Sequence, residues 1–172
     1  MKKKILLSAA GVIAILLIVV AILNLRKGQM SLPSTPGAST IRTINTSEVT
    51  FATDYPAVGY AANLPMLGPA DSGTCDSSHA CLLDNVVACA AGMGKGWCSK
   101  GLYRYNVQSS SSVPPYKDYW VTATPIEARP GRRSYCSYSD AVMRSEPGVS
   151  RSHPYTLEEC RDLPRDPGSN LP

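Results

Sequence analysis

The sequence predicts an α+β protein: an N-terminal transmembrane helix, then a helix packed on a small antiparallel sheet, stapled by disulfides. Three observations carry this expectation. Residues 5–25 form a long uncharged run. Apolar residues then recur at helical spacing before giving way to a period of two. All six cysteines lie beyond the uncharged run.

From Ile5 to Leu25 only Ser8 and Asn24 are clearly polar, and a helix of that length reaches about 30 Å, the thickness of a bilayer core. Lys2, Lys3 and Lys4 precede it and Arg26 and Lys27 follow, a bias that favours a cytoplasmic N-terminus for residues 1–4. A cleaved secretory signal is the competing reading. Such signals have apolar cores of about 7–15 residues and an A-x-A-like exit, whereas this run leaves through Asn24-Leu25-Arg26-Lys27.

Residues 26–39 contain Pro33, Pro36 and two glycines and read as a flexible linker. The helix follows, from Ala38 to about Tyr55, with Ser39 or Thr40 as caps and Ile41, Ile44, Glu48, Phe51 and Tyr55 near one face. Five threonines lower its propensity, so it depends on tertiary packing. A second short helix is expected over Ala80–Ala91, where Leu82, Leu83, Val86 and Val87 make an apolar stripe. Strands are expected at Leu102–Val107, Tyr119–Thr124, Arg133–Tyr138 and Ala141–Arg144, with a long hairpin connection at Ser109–Pro115. One domain over residues 40–146 results, and residues 147–172 read as a loose tail pinned by Cys160.

The net charge of +4 does not indicate a nucleic-acid binder. Five of the 17 Lys/Arg lie in the first 30 residues, and the other twelve face all 13 acidic residues. No basic stripe interleaved with aromatics is present. Cys75, Cys81, Cys89, Cys98, Cys136 and Cys160 are disulfide candidates in an oxidising compartment. Six cysteines allow 15 connectivities; the expected one is local, Cys75 with Cys81, Cys89 with Cys98 and Cys136 with Cys160.

Several short motifs occur in order: Thr40-Ile41-Arg42-Thr43-Ile44-Asn45-Thr46-Ser47-Glu48-Val49-Thr50-Phe51, Tyr55-Pro56, Gly59-Tyr60, Leu64-Pro65-Met66-Leu67-Gly68, Ala80-Cys81-Leu82-Leu83-Asp84, Lys100-Gly101-Leu102-Tyr103, Val121-Thr122-Ala123-Thr124-Pro125 and Arg133-Ser134-Tyr135-Cys136-Ser137. Together they resemble the extracytoplasmic part of bacterial type IV pilin-like and type II secretion pseudopilin-like proteins. The resemblance implies a helix on an antiparallel sheet, bacterial export and no catalytic site. It does not extend to the family's processing motif. Gly11-Val12 is the nearest match to the cleavage site, and Leu16 stands where the family has a Glu that pairs with a neighbouring subunit's amino terminus.

Other chemistries are weaker readings. Cys75, His79, Cys81 and Cys89 invite zinc, but C-x3-H-x-C is not a recurrent zinc spacing. His79 and His153 are the only imidazole bases, and Ser137 or Ser139 near Asp140 reads as turn chemistry. Glu158, Glu159, Asp162 and Asp166 lack the glycine and closing Glu of a calcium loop. Gly92-Met93-Gly94-Lys95-Gly96 lacks the P-loop spacing. Of the nine tyrosines, Tyr103, Tyr105, Tyr116, Tyr119, Tyr135 and Tyr138 fall on or near strands, where alternation buries some and exposes others.

The expected protein is thus a non-enzymatic component of the bacterial envelope, without cofactor or metal. It is held in the inner membrane by a single pass with its domain in the periplasm or at the cell surface. It acts by protein–protein contact, by self-association or with other pilin-like subunits of a pilus or secretion system. A tethered binding module outside any such machine is the alternative.

Overall fold

A computed structural model describes residues 35–71, 73–89 and 96–170. Helix α1 spans Pro36–Asp54. Thr35 caps it, its hydroxyl oxygen accepting from the Ala38 N–H. Pro36 sits in the first helical turn, where its missing N–H costs nothing and its fixed φ is already helical. The proline expected to interrupt the chain therefore starts the helix, and the linker expected over 26–39 ends earlier than its composition suggested.

The sheet is a five-stranded antiparallel meander in the order β1-β2-β3-β4-β5. Its strands are β1 Cys98–Lys100, β2 Tyr103–Ser109, β3 Tyr119–Pro125, β4 Arg133–Tyr138 and β5 Arg144–Pro147. The side chains alternate as the period of two requires. One row of the register runs Tyr105, Ala123, Tyr135, Ser145, and the next runs Asn106, Thr122, Cys136, Arg144.

The inner rows meet α1. Ile41, Ile44 and Phe51 are fully buried and join Tyr103, Tyr105, Val107, Tyr119, Val121, Ala123 and Tyr135 in the main core. At about 25 cal/mol per Å2 of apolar area, this face supplies the tertiary support that the threonine-rich helix needs. Helix α2, Leu64–Leu67, closes the core's edge with Leu64 and Leu67.

No helix forms over residues 80–89, where one was expected. The N–H groups of Ala80, Cys81, Leu82 and Leu83 donate to carbonyls of Met66, Gly68, Leu67 and Leu67. Cys81 is at φ +58°, in the left-handed region, and the Asp84 carboxylate takes the N–H groups of Val86 and Val87 into a turn. The backbone is thus committed to a neighbouring segment before a helix can nucleate.

Residues 148–166, expected as a loose tail, cross the outer face of the sheet. The Tyr155 N–H donates to Thr122 Oγ1, Trp120 Nε1 donates to the Tyr155 carbonyl and Arg151 N–H donates to Thr124 Oγ1. Helix α3, Leu157–Asp162, is capped by a reciprocal Thr156–Glu159 box and carries Cys160 to Cys136. Tyr155 and Cys160 are buried with Cys136 in a second, smaller core. Hydrogen bonds to the polar outer face of the sheet and the Cys136–Cys160 bridge hold this strap, and hydrophobic patterning reveals neither.

Among the described residues no helix is long and apolar enough to cross a membrane. Residues 5–25, where a spanning helix was expected, lie outside the described residues. Among the described residues the fold is therefore corrected to an α+β domain with a five-stranded antiparallel sheet and three α-helices. Helix α1 carries Arg42, Glu48 and Asp54, which hydrocarbon would penalise. The inner-membrane location, the cytoplasmic N-terminus, the bilayer contact through residues 5–25 and the membrane-anchored function all rested on that span and are not supported.

Candidate functional site

Beneath α1, polar groups intrude into the apolar layer. Asn45 and Glu48 share the buried face with Ile41, Ile44 and Phe51. Asn45 Nδ2 donates to Ser137 Oγ at 2.9 Å, and the Tyr119 hydroxyl donates to Asn45 Oδ1 at 3.2 Å. Burial, then the nearby Glu48 carboxyl and Tyr60, raise the Tyr119 phenol above its ordinary range. The Tyr60 ring lies 4.8 Å from that of Tyr119.

Glu48 is 0% exposed. Its Oε2 accepts the Ala61 N–H at 2.8 Å, while Oε1 is buried without a hydrogen-bond partner among the described residues. Burial pushes its carboxyl from 4.5 to about 8, only partly opposed by the Ala61 bond. Glu48 is therefore mostly a neutral acid at pH 7, which fastens α1 to the segment after Gly59.

The outer face of the sheet is also polar and also covered. Thr122, Thr124 and Ser134 are fully buried beneath the strap, with Thr124 Oγ1 2.7 Å from Ser134 Oγ. Arg104 stacks over Trp97 and donates to the Arg151 carbonyl, and Arg151 stacks over Tyr155 while pairing with Glu146 and Glu159. Trp97 Nε1 donates to the Ser152 carbonyl. These arginines are consumed in attaching the strap.

The outward face of α1 is open to solvent. Ser39, Arg42, Thr43, Thr46, Val49 and Thr53 are exposed along it. Thr43, Thr46, Thr50 and Thr53 each donate their hydroxyl to the carbonyl four residues earlier, at 3.3, 3.1, 3.0 and 2.8 Å. Their methyl groups then complete the surface around Val49, which is 55% exposed.

The residues singled out from sequence are not gathered into one site. The six cysteines form Cys75–Cys81, Cys89–Cys98 and Cys136–Cys160, with no free thiol. Oxidised sulfur cannot serve as thiolate, which removes the ligands of the zinc reading. His79 Nδ1 is 3.1 Å from Ser78 Oγ in an exposed turn, and His153 is exposed in the strap. Ser137 is bound to Asn45, Ser139 donates to Asp118 and Asp140 pairs with Arg144, so no triad assembles from them.

Glu159 serves the helix cap, and Asp166 accepts from Ser145 Oγ at 2.6 Å beside Arg133. Gly96 accepts from Asn106 through its carbonyl, while Gly92–Lys95 lie outside the described residues. Sequence reasoning placed Glu48 on the packed face of the helix but assigned it no role. Its signal was an acid in register with Ile41, Ile44 and Phe51. The strap and its arginines had no such signal.

Comparison with models of protein families, with curated proteins and with solved structures found no match.

Proposed function

We propose that this chain is a non-catalytic, pilin-like domain that works by presenting the outward face of α1 to another protein surface. The reading does not depend on a membrane anchor. The observation that carries it is the state of the threonine stripe. With four hydroxyls returned to the helix's own carbonyls, the face offers methyl groups and Val49, with Arg42 as its charge over the middle turns. Little desolvation cost attaches to covering such a face, and shape can decide the fit.

The resemblance of the ordered sequence motifs to those of pilin-like and pseudopilin-like proteins favours the same assignment. So do the two buried bridges, Cys89–Cys98 and Cys136–Cys160, which stabilise the domain as a preformed surface by constraining its unfolded chain. In this reading the buried acid, Glu48, is structural and ties α1 to the segment after Gly59.

The test is a photo-activated cross-linker placed at Val49 and, as control, at exposed Ser110 in the β2–β3 loop. Adducts in intact cells at position 49 that Thr46→Lys abolishes are the expected result. Equal labelling at both positions, insensitive to Thr46→Lys, would overturn the assignment.

A further inference from the structure

The three disulfides sit in unequal surroundings. Cys98, Cys136 and Cys160 are 0% exposed and Cys89 is 9% exposed. Cys75 and Cys81 are both exposed. A left-handed backbone at Cys81 is shared by Cys89, both at φ +58°, so access separates the bridges and backbone strain does not.

The surroundings of Cys75–Cys81 also permit opening. On its C-terminal side, Ala80 N–H donates to Met66 O at 2.8 Å, Cys81 N–H to Gly68 O at 3.0 Å, and the Leu82 and Leu83 N–H groups to Leu67 O at 2.7 and 2.8 Å. None of these bonds requires the bridge. Within the ring, Asp76 and His79 exchange backbone bonds at 3.0 and 3.1 Å, and Asp76 Oδ1 accepts from the Ser78 and His79 N–H groups. The turn therefore holds itself. The ring closes the shortest span of the three, with a sequence separation of 6 against 9 and 24. It thus constrains the unfolded chain least.

We propose that Cys75–Cys81 is a thiol–disulfide exchange site, opened by a dithiol reductant while Cys89–Cys98 and Cys136–Cys160 stay closed. One thiolate of the dithiol attacks a sulfur of the bridge, the S–S bond breaks, and the departing cysteine thiolate takes up a proton. The second thiol of the reductant then attacks the mixed disulfide, releasing the other cysteine as a thiol and closing the reductant into its own disulfide. Two electrons pass to the protein and the dithiol is oxidised. Cys75 and Cys81 are left as thiols, whereas residues 80–83 stay stitched to residues 66–68.

The experiment uses the full chain in native buffer with graded dithiothreitol, quenched with iodoacetamide and read by peptide mass spectrometry beside near-ultraviolet circular dichroism. Cys75 and Cys81 are expected to be alkylated at least about tenfold faster than the other four, with the dichroism retained. Simultaneous labelling of all six, or labelling of Cys75 and Cys81 last, would overturn the proposal. A Cys75→Ser/Cys81→Ser double variant is expected to fold with the remaining four cysteines as unreactive as before. Its failure to fold would overturn the claim that the bridge opens without loss of the domain.

Discussion

Replacing Glu48 with Gln isolates the consequence of a buried acid. The folded carboxyl is pushed up to about 8 from an ordinary value of 4.5. The folded state thus holds a proton that the unfolded chain releases, and stability is fully present below pH 4.5. It falls as pH rises through that interval and levels off above pH 8. At 1.36 kcal/mol per pKa unit the complete loss is about 5 kcal/mol, of which about 3 kcal/mol has gone by pH 7. A glutamine amide oxygen can still accept the Ala61 N–H but cannot ionise. Its amide N–H groups enter the place of Oε1, which has no partner, at a cost of about 1–3 kcal/mol at every pH. Glu48→Gln is therefore expected to be less stable than the native chain near pH 5 and equal or more stable near pH 8. Urea unfolding at pH 5, 6, 7 and 8, with the disulfides intact, reads the two curves. Parallel curves would refute the reasoning, because the pH slope would then come from other groups.

Three further outcomes follow from the packing. Gly59 has φ +82°, and a Cβ there would lie 2.3 Å from the Tyr116 carbonyl oxygen. Gly59→Ala should lower stability by about 2 kcal/mol or more, seen as a reduced thermal midpoint. Opening Cys136–Cys160 by the double change to Ala should cost about 3 kcal/mol and raise amide exchange in residues 148–166 well before α1. Tyr155→Phe removes the hydroxyl that donates to Glu146 and should cost about 1 kcal/mol; an unchanged denaturation midpoint would show that this bond contributes nothing.

The legible parts of this fold were those governed by local periodicity. The face of α1 could be read because Ile41, Ile44, Glu48 and Phe51 recur at the helical spacing. Strands β2, β3 and β4 could be read because tyrosine, valine and threonine alternate. The helix expected over 80–91 failed for the converse reason. An apolar stripe shows that side chains are buried and does not show where backbone donors go, and here they go to residues 66–68. Pro36 was misread because proline ends a helix interior but suits a helix start, and only the cap at Thr35 distinguishes the two.

By itself the sequence determined the class of the domain, a helix followed by an antiparallel meander, because periodicity and turn chemistry are local properties of the chain. Tertiary structure alone decided that the C-terminal segment covers the sheet's outer face, that Glu48 is a neutral acid, and that one disulfide is open to solvent while two are sealed. Each of these depends on which distant groups exclude water from a given atom. Solvent exclusion is set by packing between residues far apart in the chain, and no local pattern encodes it.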